Sequence, residues 1–499
     1  MKTLFVHLGR EHLGIEYLSA YLKEAGHETS LAVDIGLFGQ NDNIFYIPKL
    51  EKFFSMTGSV IEKFKSWHPD VVCFTAYTTT LKWCFGIAEE FKKIRDVPIL
   101  LGGIHATLAP ETALGSAAID YAVRGEADST IVEIIERLGQ GHSPEDIPGI
   151  IYRINDEVDC NHPAPIVEDM DSMPFPDKTL FEHSMSMRDD YMTLTSRGCP
   201  FNCTYCCEHK VKELYDIKKY LRVRSVGNLM EELSRMKAKY HFAEAFFCSP
   251  VFPGDRKWTE AFCRRYKKEI GVPFWCFAHL NFFDADYAKM LREAGCYMVE
   301  FGIQTLNEDV RIKTLKRVET NNRIDRALSD CDSARLPYDL DNIFYLPGET
   351  EADYELAVRF YSKYKMIHRI KVFNLTLFPG TVITSQAVER GMISPESYEA
   401  IRNGEAGDYF HVAVVGSPVP EWKIKAYGNL LRLLPLLPRG WTLRMLSPRG
   451  LKLAARIPKI AVRLLELLNL IRLRDPRFIL YMKLYARHFF RYAAGKRHA

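Results

Sequence analysis

Two runs of alternating strand-like and helix-like segments, parted by a stretch rich in Pro, Asp and Asn, constrain this chain more than any other feature. Strands joined through helices run parallel, because the crossover helix returns each strand to the same direction. In the first run Thr3–Leu8, Asp70–Thr75, Pro98–Gly102 and Asp120–Val123 read as strands, and Gly14–Ala25, Ile87–Ile94 and Thr130–Leu138 as helices. This predicts an α/β domain, a doubly wound parallel sheet, over residues 1–145. Its strand-exit glycines, among them Gly102, Gly103 and Gly125, fall where such sheets bind ligands, although glycine also suits a plain turn. Residues 146–185 read as a linker with one hairpin at Gly149–Val158. The second run has strands at Tyr191–Thr195, Glu244–Phe247, Phe274–Phe277, Met298–Phe301, Asp341–Tyr345 and His368–Leu375. Six such units predict a partial (β/α)6 barrel over residues 186–400, with its chemistry on the loops after the strands.

A chain of 499 residues exceeds one hydrophobic core, in keeping with this division. The apolar run at the start is short for a signal peptide, and no apolar stretch reaches the roughly 18 to 20 residues of a membrane span. A cytoplasmic protein is expected, its twelve cysteines serving metals rather than disulfides. The net charge of +3 hides a segregation: residues 421–499 hold 18 Lys and Arg against 3 Asp and Glu. That basic tail lies in a helical C-terminal region, residues 401–499. It fits a cap over the barrel or a peripheral contact with a membrane surface better than a nucleic-acid grip, since no recognition module precedes it. Within it, Pro458 to Arg472 reads as a helix with Lys459, Arg463 and Glu466 on one side and leucines on the other.

The stretch Thr195-Ser196-Arg197-Gly198-Cys199-Pro200-Phe201-Asn202-Cys203-Thr204-Tyr205-Cys206-Cys207 follows the first strand of the second run. Three thiols spaced Cys-x3-Cys-x2-Cys on one loop can wrap a compact metal centre. Zinc and complete iron–sulfur sites take four protein ligands, so three leave a position open to a substrate or cofactor. Cys207 reads as a bystander, because adjacent cysteines rarely reach the same iron. A zinc site completed by Cys207 or His209, or cysteines with no shared role, are the competing readings.

This stretch resembles the signature of radical S-adenosylmethionine enzymes, including the aromatic Tyr205 before the last cysteine. The resemblance extends to about residue 400 and matches the subgroup that sets a Rossmann-like cobalamin-binding domain before the barrel. Leu13-Gly14-Ile15-Glu16-Tyr17 resembles that domain's first helix. Leu101-Gly102-Gly103-Ile104-His105 and Arg124-Gly125-Glu126-Ala127-Asp128 resemble its later strand exits, and Met173-Pro174-Phe175-Pro176-Asp177 the linker. Glu300-Phe301-Gly302-Ile303-Gln304-Thr305 and Ile343-Phe344-Tyr345-Leu346-Pro347-Gly348-Glu349 resemble barrel motifs around S-adenosylmethionine. The resemblance implies a [4Fe–4S] cluster on Cys199, Cys203 and Cys206, and S-adenosylmethionine contacts from Tyr205, Ser249, Gln304 and Leu346. It implies cobalamin contacts from Thr75, Gly102, Gly103, Gly125 and Glu126, and a low-potential electron donor, flavodoxin or ferredoxin. In the family a 5′-deoxyadenosyl radical takes hydrogen from substrate. The leading expectation is methyl transfer to an unactivated carbon. The alternatives are cyclisation, rearrangement or oxygen insertion on a tetrapyrrole or other secondary metabolite, and a non-catalytic cobalamin or cluster sensor.

The chain departs from the family in places. The cobalt-ligating Asp-x-His-x-x-Gly is missing: in Gly9-Arg10-Glu11-His12-Leu13-Gly14 the glycine follows the histidine too closely. His12 therefore reads as an exposed turn residue, and His7 and His105 as hydrogen-bonded loop residues. Ser249-Pro250 replaces an acidic pair, His279-Leu280-Asn281 an Arg-x-Asp, and Gln304 a glutamate. Fewer charges at these places imply a weakly polar pocket, and hence a hydrophobic small-molecule or lipid substrate such as a hopanoid or tetrapyrrole.

Overall fold

A computed structural model describes residues 1–39, 47–405 and 418–495, with the side chains of 48 and 491–495 left out. The first domain is a seven-stranded sheet: β1 (Lys2–Leu8), β2 (Glu28–Asp34), β3 (Val71–Thr75), β4 (Ile99–Gly102), β5 (Tyr121–Val123), β6 (Ile150–Ile154) and β7 (Glu157–Cys160). The spatial order is β2-β1-β3-β4-β5-β6-β7, parallel through β5. Five consecutive buried residues in β1 mark an interior strand covered on both faces. The hairpin expected in the linker is β6 and β7, and it extends this sheet as an antiparallel edge. β2 carries no sequence signal of its own. As an edge strand it buries little of its length.

The second sheet holds six parallel strands in chain order: β8 (Asp190–Thr193), then, after the short ribbon β9 (Ser196–Arg197) and β10 (Arg222–Val223), β11 (Glu244–Phe247), β12 (Phe274–Ala278), β13 (Cys296–Gln304), β14 (Tyr338–Phe344) and β15 (Ile367–Asn374). Sequential βα units without a closing pair leave an open-sided barrel between β8 and β15. The residues pointing out from it, such as Phe247, Cys276, Val299, Leu340 and Ile370, form one core with the surrounding helices. The C-terminal helices follow: Glu421–Leu433, Arg439–Arg444, Pro448–Arg456, Lys459–Arg472 and Pro476–Gly495. The last ties the open side shut. Its Arg477 is buried against Asp339 (2.7 Å) and Asp475 (2.6 Å), Lys483 pairs with Asp189, and His488 Nε2 lies 3.0 Å from the Ser184 carbonyl.

Candidate active site

The cysteine loop leaves the carboxyl end of β8 and is fixed at both ends. The Ser249 hydroxyl, just past β11, accepts from the Thr195 and Ser196 amides at 2.7 and 3.0 Å and shares a 2.9 Å bond with the Thr195 hydroxyl. Gly198 turns at φ +82°, and a Cβ there would stand 2.6 Å from the Tyr220 carbonyl, so only glycine fits. At the far end the Thr204 amide donates to the Leu315 carbonyl (3.1 Å), the Thr204 hydroxyl donates to the Thr314 carbonyl (2.8 Å), and the Thr204 carbonyl accepts from the Ile383 amide. Lys212 gathers the Phe201 carbonyl from below at 2.9 Å. These anchors hold three thiols in a defined arc.

Burial pushes the thiol of Cys199 up to about 11 and that of Cys206 to about 12, and raises Cys203 as well. The three sulfurs also feel one another's charge, which adds to the rise for Cys199 and Cys206. A metal is what converts such thiols to thiolates. Among the described residues no group of three His, Cys, Asp or Glu is placed to hold a single metal ion.

A charged network backs the loop. The Arg317 guanidinium stands 3.8 Å from Cys203 Sγ and 3.1 Å from the Tyr205 hydroxyl. It also pairs with Glu319, which lies 3.0 Å from His279 Nε2. Burial alone would raise Glu319, but His279 and Arg317 hold it down at about 2. The His279 ring stacks on Phe201 of the loop with centroids 3.6 Å apart. Gln304 closes β13 with φ +71° at a register shift against β14, its amide beside Gly302. Leu346 lies in an apolar cluster with Leu315 and Ile343, against which Tyr205 packs. Tyr205, Gln304 and Leu346 thus border the loop, while Ser249 spends its hydroxyl in supporting it.

Toward the first domain, Thr75 and Gly102 end β3 and β4 side by side. A Cβ on Gly102 would meet only the Phe74 carbonyl at 3.8 Å, leaving its outer side uncovered, whereas on Gly103 it would stand 2.7 Å from the Ala76 backbone. Gly102 and Thr75 therefore fit a cradle for a large ring, and Gly103 is needed for the tight turn. At Gly125 the space is taken by Tyr215, whose hydroxyl accepts from the Glu126 amide at 2.8 Å. The Glu126 carboxylate binds Arg197 (2.9 Å) and Arg222, and Asp128 binds Arg197 at 2.8 Å. Gly125 and Glu126 thus lie at the contact between the domains. Arg197 stands two residues before Cys199, so these ion pairs bring the carboxyl ends of both sheets to one junction.

His12 is not an exposed turn residue. Its Nδ1 accepts from the Ile15 amide at 3.3 Å, capping the helix Leu13–Glu24, and burial pulls it down to about 4. His7 lies edge-on to it at 5.2 Å. His105 bridges the Thr78 and Thr112 hydroxyls. The strands themselves also carry charge, Glu300 at the head of a barrel motif among them. On the side of β13–β15 away from the helical core, Lys371 binds Glu300 at 2.5 Å and lies 3.9 Å from Asp341, and on β11 and β12 the rings of Phe246 and Trp275 stack with centroids 3.7 Å apart. Charges absent after the strands are supplied from within them.

Residues 10–135 match the B12 binding domain family and residues 193–361 the radical SAM superfamily. The chain is a radical SAM enzyme. More particularly, it is one that carries a B12-binding domain ahead of the radical SAM domain, homologous to methyltransferases and cyclases of that build. It is 28% identical over 346 residues to an uncharacterized methyltransferase of Pyrococcus horikoshii, covering 68% of this chain and 73% of that protein. It is 25% identical over 354 residues to the anaerobic magnesium-protoporphyrin IX monomethyl ester cyclase of Rubrivivax gelatinosus, covering 64% of this chain and 59% of the cyclase. The fold matches that of the radical S-adenosylmethionine methyltransferase TsrM from Kitasatospora setae, solved with cobalamin and a [4Fe–4S] cluster. The TM-score is 0.61 and the identity 17%, over 79% of this chain and 76% of that one.

Proposed function

We propose that this chain methylates an unactivated carbon of a hydrophobic small molecule or lipid, using a [4Fe–4S] cluster, S-adenosylmethionine and cobalamin. The observation that carries this reading is the junction itself. Arg197, paired with Glu126 and Asp128, sets the three-cysteine loop against the sheet end bearing Thr75 and Gly102. When bound, the cluster supplies the electron that cleaves the sulfonium and cobalamin supplies the methyl group. Cys199, Cys203 and Cys206 would hold the cluster, and Arg317 sets a positive charge beside the Cys203 sulfur. Tyr205, Gln304 and Leu346 border S-adenosylmethionine; Phe201, packed on His279, excludes water from the loop. Thr75, Gly102 and Gly103 would border cobalamin. The Lys371–Glu300–Asp341 group and the Phe246–Trp275 stack supply a substrate with both polar and flat apolar contacts.

A cytoplasmic enzyme served by flavodoxin or ferredoxin, touching a membrane surface through its basic tail, completes the reading. Twelve free thiols support the reducing compartment. No described helix is long and apolar enough to cross a membrane. The test is anaerobic turnover with reduced flavodoxin and methyl-labelled S-adenosylmethionine against a panel of hopanoids and tetrapyrroles. Deoxyadenosine together with a labelled product heavier by one methyl supports it. A second reading, radical cyclisation, is favoured by the similarity to the cyclase, and it predicts deoxyadenosine with an unlabelled product. No deoxyadenosine at all would leave the sensor reading.

A further inference from the structure

The helix Lys459–Arg472 is apolar on two sides: Val462, Leu467 and Leu470 are buried, and a second apolar line faces outward. Its polar Glu466 and Asn469 are turned inward, 8% and 4% exposed. Glu466 meets Arg432 and Arg463, and Asn469 donates to the His368 carbonyl on β15 at 2.8 Å. Its apolar line, Ile460, Leu464, Leu468 and Ile471, is about half exposed. The spacing of four, four and three residues places the line on one face of the helix. Leu465 broadens it, and Leu453 of the neighbouring helix Pro448–Arg456 is 58% exposed. Scattered surface leucines are ordinary, but a continuous outward stripe on a helix that already buries a second apolar set marks a contact surface.

The charge around this stripe is of one sign. Residues 439–474 hold nine Lys and Arg and a single acid, Glu466, which is already neutralised inside. Arg449, Lys452, Arg456, Lys459 and Arg474 are exposed and make no ion pair among the described residues. Elsewhere in the tail Arg432 and Arg477 are held in internal pairs and Lys483 pairs with Asp189. A second copy of the chain laid on this face would bring like charges together.

We propose that the two helices Pro448–Arg456 and Lys459–Arg472 form the seat of this enzyme on an anionic bilayer. This rests on, and narrows, the reading that the tail touches a membrane. The leucine line sinks to the boundary of headgroups and acyl chains, and the flanking arginines and lysines meet lipid phosphates. Because the seat packs on β15, the last strand of the barrel, it sets that edge of the barrel close to the lipid.

The experiment is sedimentation of the full chain with phosphatidylcholine vesicles, with and without phosphatidylglycerol. The expected result is pelleting with the anionic vesicles, reversed by salt. Arg456→Gln/Lys459→Gln should weaken anionic binding about 30-fold, and Leu464→Ser/Leu468→Ser should weaken it by at least about tenfold. Unchanged thermal melting would show that both variants fold, since the substituted side chains are exposed. Wild-type protein that stays in the supernatant, or variants that pellet as it does, would overturn the proposal. So would a solution mass of two chains that falls to one in Leu464→Ser/Leu468→Ser, with no vesicle binding. Binding needs no cofactor, so protein that pellets but forms no deoxyadenosine would sink the proposed function and leave the seat intact.

Discussion

Replacing Lys178 by methionine should destabilise the protein by about 3 to 5 kcal/mol, the cost of breaking a buried ion pair from one side. The Lys178 side chain is 1% exposed, with its ammonium 2.6 Å from Glu11 and 2.7 Å from Glu16. It also donates to the Met192 carbonyl of β8 at 2.6 Å and lies over the Tyr191 ring. One cation thus ties the start of the first domain, the linker and the first barrel strand. Burial raises the Glu16 carboxyl well above its usual range, and Lys178 is the main influence lowering it. Methionine fills similar volume but leaves two carboxylates facing each other without a counter-charge. The assay is urea unfolding at neutral pH, read on the first cooperative transition because the chain has several domains. Adding Glu16→Gln should restore about 2 kcal/mol or more, since it removes the stranded charge. The loss should also shrink at mildly acidic pH, where the carboxylates take up protons. A loss below about 1 kcal/mol, or one indifferent to Glu16, would refute the reasoning.

Cys207→Ala should keep its iron and its deoxyadenosine formation, whereas Cys203→Ala should lose both; equal loss of iron by colorimetric assay would place Cys207 among the ligands. Gly103→Ala should cost at least about 2 kcal/mol, because φ is +100° and the new methyl would press on the Ala76 backbone at 2.7 Å; an unchanged denaturation midpoint would contradict this. Burial holds His105 down at about 4, with Glu111 opposing weakly, so its unfolded form takes up a proton first as pH falls. Its contribution to stability is present above about pH 6.5 and lost by about 1.4 kcal/mol per pH unit below it, down to the folded value. The stability gap between wild type and His105→Gln should narrow at that rate, and a constant gap would show that His105 is not buried neutral.

Strand positions were legible where apolar runs are short and continuous, as at Glu244–Phe247, because interior parallel strands are buried on both faces. β2 was not, since an edge strand of mixed residues looks like the end of the preceding helix. The cysteine loop could be read from spacing alone. Its supports could not: Ser249 lies 54 residues from Thr195 and Glu16 lies 162 from Lys178, and no local pattern announces partners so far apart. Glu126 carried a motif, yet its carboxylate serves Arg197 and Arg222, whose approach depends on how two domains meet. In the tail, the partition of Lys459, Arg463 and Glu466 from the leucines was visible, but not which side faces inward. That choice belongs to Arg432 and His368, which receive Glu466 and Asn469.

Electron paramagnetic resonance of the anaerobically reconstituted, dithionite-reduced protein gives the shortest route to the iron at issue. The signal of a reduced [4Fe–4S] cluster should appear, and adding S-adenosylmethionine should alter it, because one iron has no cysteine and is free to take the amino and carboxylate groups. Protein that binds no iron, or a cluster signal that S-adenosylmethionine leaves untouched, would contradict the account.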